Sequence, residues 1–274
     1  MKFANMLAIA RKDWIEVRQN KYAWLPMLIL PILFNVLMPL VIILLMTNLK
    51  MDPKVFTSDA DLEMFFRAMP ESIAQFLHPE QPIQFAITTI LGFMLAPLFL
   101  MLPLMFSTTI AAESFAGERE RKTMEALFYT PATDAELFLG KVMAAAVPSI
   151  GITWIGFAIY ALILNLAPYA VFQRFWFPLP TWWPLIFWMS PALVMLGIGF
   201  TVLISEKIPT FLGAYQTSSM TVILVMVLLI SQLTGVLYLS VGIGMLLGAL
   251  LWVIAGILGY FAIRTFNRAK MLTG

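Results

Sequence analysis

Cysteine is absent from this chain, which removes disulfides, thiolate nucleophiles and cysteine-ligated metals from the chemistry open to it. Charge is scarce as well: charged residues make up 12% of the chain and hydrophobic ones 61%. A soluble core of that composition would leave large apolar patches in water, so the chain reads as an all-α polytopic membrane protein. The formal net charge of +2 carries no sign of a nucleic-acid partner. The one histidine, His78 between Leu77 and Pro79, has no companions for zinc binding or proton relay and reads as structural.

Catalytic and nucleotide motifs are missing too. There is no H-E-x-x-H, and no paired aspartates lie within the apolar runs, which argues against an intramembrane protease. A phosphate-cradling G-x-x-x-x-G-K-S/T is approached only at Gly140-Lys141, where Val142 follows and Ala135 stands in place of the first glycine. The chain is therefore expected to have no ATP site, no metal site and no enzymatic activity of its own.

What the chain does have is long apolar runs. A membrane-spanning helix needs about 20 such residues, and six stretches qualify: 23–47, 84–112, 142–166, 183–205, 215–237 and 241–264. The first contains Pro26, Pro31 and Pro39, each of which removes a backbone donor and predicts a kink. Asn35 within it reads as an interhelical hydrogen bond. Between the last two spans, residues 231–240 read as a short turn or a re-entrant piece. Before the first span, residues 1–21 place Phe3, Leu7, Ala10, Trp14 and Val17 at helical spacing, with bases elsewhere on the wheel. That pattern predicts an interfacial amphipathic helix, or a helix packed on protein. The first apolar run is too long for the short hydrophobic region of a cleaved signal.

Orientation follows from the bases. With the N-terminus inside, 13 Lys and Arg fall on the cytoplasmic side, and only Lys50, Lys54, Arg67 and Arg174 fall outside. The positive-inside rule then puts both termini in the cytoplasm. The external loop, 48–83, reads as short helices broken at Pro70 and Pro79, with six acids against three bases, and could cap an exit. Phe175, Trp176, Phe177, Trp182 and Trp183 suit an outer aromatic belt.

The segment 113–141 interrupts the apolar pattern with concentrated charge. Glu118 with Lys122, and Arg121 with Glu125, are four apart and can pair on a helix surface. Met124, Leu127 and Phe128 share an apolar face. Pro131 ends that run, and Thr133 with Glu136 has capping-box spacing for the next helix. The result predicts a short helix across the cytoplasmic end of the bundle, or else a solvated loop whose bases set topology.

The run GERERKTMEALFYTP, followed by Glu136 and Gly140-Lys141, resembles the coupling-helix motif of type-2 ABC exporter permeases. Arg119, Glu120, Arg121, Thr123, Glu125, Leu127, Thr130 and Pro131 carry the match, and Lys122 stands where that pattern has Gly. The resemblance extends to the ARKDW start, to Ser205-Glu206-Lys207 with Gln216, and to Phe266-Asn267-Arg268. It implies a permease subunit in the cell membrane of a prokaryote, with Glu118, Arg119, Glu120, Arg121, Lys122, Thr123, Met124, Glu125 and Leu127 transmitting motion from a separate ABC ATPase. ATP and Mg would sit on that partner, in two copies, and a second permease copy, a homodimer, would complete the path. Phe93, Met94, Phe99, Met101 and Met105 would line it, with hydrophobic or amphipathic cargo such as a peptide, drug or lipid. For the same residues, ordinary packing or lipid contact is the other reading.

Two further classes stay open. A secondary carrier places ionisable residues inside its spans, whereas here Glu113 and Glu206 lie at span ends. A membrane scaffold that anchors another enzyme is the third possibility.

Overall fold

The structure, a computed structural model, describes residues 2–48, 71–77, 81–123 and 132–266. Helix α1 (Phe3–Gln19) is followed by six helices long and apolar enough to cross a membrane. These are α2 (Ala23–Asn48), α3 (Pro82–Glu120), α4 (Asp134–Leu166), α5 (Pro184–Lys207), α6 (Phe211–Leu233) and α7 (Val241–Thr265). No strand occurs among the described residues. The most apolar stretches of α3 and α5 are each 72% buried, against 17–33% for the other four. Helices α3 and α5 therefore form the centre, and the rest surround them. The outer helices expose Leu28, Leu44, Ile155, Leu162, Leu246 and Val253, a surface suited to lipid and costly in water.

Proline shapes the helices. In α2 the chain widens to a π-turn at Leu33–Leu37, just before Pro39. The Pro39 ring has no N–H to give the Asn35 carbonyl and would crowd it in a regular turn, and the wider turn relieves that clash. Asn35 itself is buried, yet neither amide atom has a hydrogen-bond partner. It fills the space that a side chain at Gly156 of α4 would take, so close packing replaces the interhelical bond that its sequence position suggests.

Helix α3 breaks more sharply. A π-turn at Thr88–Met94 passes through Leu95 into a 3₁₀ turn at Ala96–Leu100 that contains Pro97. Around this break three successive carbonyls each accept a side-chain bond from a different part of the chain. Tyr160 Oη of α4 donates to Leu91 O at 2.9 Å, Trp182 Nε1 donates to Gly92 O at 2.7 Å, and Gln232 Nε2 of α6 donates to Phe93 O. A buried carbonyl without a partner is expensive, so these side chains hold the break open at a defined place.

Trp182 is the hub of an aromatic cluster with Phe99, Phe157, Tyr160 and Phe177, at centroid distances of 4.9–5.7 Å. The expected outer belt is thus largely turned inward. Phe177 and Trp182 are buried, Trp176 is half-buried with its Nε1 donating to Leu164 O, and only Phe175 and Trp183 are exposed. The connection after α6 turns at Gly235, whose φ of 73° lies in the left-handed region, and glycine adopts that conformation without strain. An extended stretch with Tyr238 and Leu239 buried then leads to Ser240, which caps α7. Most of the 48–83 loop, and His78, lie outside the described residues.

Candidate functional site

At one end of the bundle, α1, the last turns of α3 and the first turns of α4 converge on a buried cluster of charges. Local sequence explains their delivery. Ile9, Asp13 and Val17 are four apart on α1 and form its buried stripe. Gly140 of α4 lets that stripe come close, since a Cβ there would lie 2.9 Å from Ile9 Cβ and 3.0 Å from the Met6 carbonyl. The capping box starts α4 at Thr133, with Glu136 N donating to Thr133 Oγ1 at 3.2 Å and Thr133 N donating to Glu136 Oε2 at 3.1 Å. Glu136 also receives the Lys2 backbone N–H at 2.6 Å and Asn5 Nδ2 at 3.0 Å, which ties the start of α1 to the start of α4.

Lys141 is the centre of the cluster and is fully buried. Its ammonium lies 2.5 Å from Glu118 Oε2, 2.7 Å from the Ser114 carbonyl and 3.3 Å from Asp13 Oδ2. Glu118 also pairs with Lys12, and Ser114 Oγ donates to Asp13. Lys12 reaches Glu16 at 3.1 Å. A second group adjoins it: Glu113 accepts from Arg121 Nη1 at 2.7 Å and from Asn20 Nδ2 at 2.8 Å, and Arg121 reaches Glu16 at 3.5 Å. Buried charges are tolerated because each finds opposite charge and hydrogen bonds.

The electrostatic consequences are directional. Burial pulls the Lys12 pKa down, but the Glu118 carboxylate and, beyond it, Asp13 and Glu16 push it further the other way, to about 12. Burial likewise works against the Arg121 guanidinium, and the Glu113 bond outweighs it, so its pKa is raised. Carboxylate oxygens of Asp13, Glu16 and Glu118 lie within 4.8 Å of one another. Two ammonium groups, those of Lys12 and Lys141, already supply the positive charge among them.

The motif residues Glu118 to Arg121 each reach a different neighbour. Glu118 holds Lys12 of α1 and Lys141 of α4. Arg119 Nη1 donates to Ser205 O of α5 at 2.7 Å, and Glu120 Oε2 accepts from Phe211 N, the first residue of α6, at 2.8 Å. Arg121 turns back to Glu113 and across to Glu16. The Phe115 ring lies under the Lys141 ammonium and meets Phe266, just past α7, edge-on at 5.9 Å.

These contacts differ from the helix-surface pairing that spacing suggests. Glu118 does not use Lys122, and Glu118–Glu120 continue α3 instead of starting a separate helix. Lys122, exposed at the following turn, has a φ of 57°, in the left-handed region that favours glycine. Thr123 N donates to Glu118 O at 3.0 Å and closes that turn. Met124, Glu125, Leu127, Thr130 and Pro131 lie outside the described residues. Of the residues expected along a path, Phe93 and Phe99 are buried, while Met94, Met101 and Met105 are half-buried. Sequence reasoning missed Lys12, Asp13, Ser114 and the role of Lys141. The one available signal was Asp13 on the helical spacing of Ile9 and Val17.

A family model described as ABC-2 family transporter protein matches residues 7–266. No curated protein and no solved structure matches the chain.

Proposed function

The chain belongs to the ABC-2 family of transporter proteins, and from that premise we propose that it is one half of an ATP-driven exporter, moved by ATPase subunits that act on the end of the bundle holding Glu118–Arg121. The family and the six apolar helices make it a multi-pass membrane permease subunit of an ABC transporter, a kind of subunit that works with a partner ATPase. In this reading the charged end and both termini face the cytoplasm of a prokaryotic cell, in keeping with the excess of bases there. ATP and Mg belong to the partner, in two copies.

A second copy of the chain completes the path. Phe93 and Phe99 are buried within one copy, so a path between copies would be lined first by the half-buried Met94, Met101 and Met105. Such a lining favours hydrophobic or amphipathic cargo.

One observation carries the coupling role: four consecutive side chains at the end of α3 bond to α1, α4, α5 and α6. A push on the exposed Glu120–Thr123 tip therefore reaches most of the bundle through fixed bonds. Mild-detergent purification from the native host, with mass spectrometry and an ATPase assay on the eluate, tests the partnership. A stoichiometric P-loop ATPase is expected. Its reproducible absence from an intact, folded chain would favour a carrier or scaffold instead. Replacing Glu120 or Arg121 with Ala is expected to lower ATPase stimulation while leaving membrane insertion intact, and normal stimulation would remove the coupling role.

A further inference from the structure

Helix α1 has two opposed faces, and its charges are sorted between them. Both of its acids are committed inward, Asp13 to Lys141 and Ser114, and Glu16 to Lys12 and Arg121. Phe3, Leu7, Arg11, Ile15 and Arg18 recur at spacings of four, four, four and three, which puts them on one face, and all five are exposed. This face has three large apolar side chains, two guanidiniums and no acid. Neither Arg11 nor Arg18 has an ion-pair or hydrogen-bond partner among the described residues.

The chain leaves little choice about where that face lies. Helix α1 ends at Gln19 and helical backbone resumes at Lys21, two residues before the apolar stretch of α2 starts at Ala23, with Asn20 alone at the corner. Asn20 is pinned by its bond to Glu113 at 2.8 Å. Helix α1 is thus held at the end of the first apolar helix.

We propose that this outer face binds anionic lipid headgroups. The Arg11 and Arg18 guanidiniums take phosphate oxygens, and Phe3, Leu7 and Ile15 enter the acyl boundary beneath them. Guanidinium forks match phosphate oxygens in pairs, and an amphipathic helix with bases on its wet side lies in the interface plane. An anionic membrane surface supplies both an acidic layer and an apolar layer along the whole length of the helix, which its position at the span mouth requires. The proposal rests on membrane embedding and does not depend on the ABC transport reading.

The absence of cysteine gives a clean test. The full chain carrying Ala8→Cys, an exposed position on this face, is labelled with a fluorophore and placed in phosphatidylcholine nanodiscs. These contain, at equal mole fraction, a headgroup-linked quencher on either phosphatidylglycerol or phosphatidylcholine. The anionic quencher is expected to act more strongly, reflecting local enrichment of roughly fivefold per arginine, and to lose that advantage in high salt. Arg11→Gln with Arg18→Gln should remove the preference, and Arg11→Lys with Arg18→Lys should keep most of it. Equal quenching by the two lipids, or a preference that survives the double Gln variant, would overturn the proposal. So would a label shielded from both quenchers, which would put a protein on this face.

Discussion

The Lys141 ammonium of α4 and the Glu118 carboxylate of α3 meet at 2.5 Å with neither side chain exposed. The two residues are 23 apart in sequence, and the pair fastens one central helix to one outer helix at the end where the motif lies. Asp13 brings α1 into the same bond set. The joint is strong only while complete, because removing one member leaves uncompensated charge in the interior.

Lys141→Met should accordingly destabilise the chain by about 3–5 kcal/mol, read as a lower unfolding midpoint in mild detergent. Adding Glu118→Gln should cost less than the two single changes summed, since they share one network. An unchanged midpoint for Lys141→Met would show that the joint holds nothing together.

Gly140→Ala places a methyl against Ile9 and the Met6 carbonyl, at 2.9 and 3.0 Å. Helix α1 must shift outward, at about 1–3 kcal/mol, and should be nicked sooner by added protease. Ile9→Ala in the same chain removes the Cγ2 contact at 3.0 Å and should recover part of the loss, while the Cβ that alanine keeps and the Met6 carbonyl limit the rescue. Equal protease resistance in wild type and Gly140→Ala would refute the close approach.

Lys122→Gly should stabilise the turn after α3. The left-handed φ of 57° costs a side-chain-bearing residue about 1 kcal/mol that glycine avoids. Lys122→Val should move the unfolding midpoint the other way. A midpoint that falls with Gly would mean that the lysine side chain makes a compensating contact.

Alkali should loosen α1. The Lys12 pKa is raised from 10.5 to about 12, so its pairing with Glu118, Asp13 and Glu16 stabilises the fold fully below 10.5. That stabilisation is lost as pH rises through about 12. Fluorescence of a label at Ala8→Cys, followed from pH 9 upward, should change over that window, and Lys12→Gln should remove the transition.

Much of the fold was legible because helical apolar runs of this length admit few other structures. The six spans, α1 and the capping box at Thr133 with Glu136 all rest on local pattern. The cluster did not. Asp13 and Lys141 are 128 residues apart, and helical spacing shows which residues share a face without showing what covers it. The same gap explains Trp182 and Phe177: an aromatic run before a span reads as a belt, and only packing against Phe99 and Tyr160 turns it inward. It explains Asn35 too, where Gly156 supplied room in place of a hydrogen bond. Glu118 was read with its neighbour Lys122 because local pairing is all that spacing can express.

The three side-chain bonds at Leu91, Gly92 and Phe93 make α3 two short rods with a joint between them, not one stiff rod. One rod ends at the Glu118–Arg121 tip, and the aromatic cluster packs on the break itself through Phe99. Backbone bonds within a helix form as a cooperative run, whereas the bonds from Tyr160, Trp182 and Gln232 come from three separate, buried positions of the chain. The angle between the two rods is therefore fixed by side chains from three other parts of the chain and not by the helix's own backbone ladder.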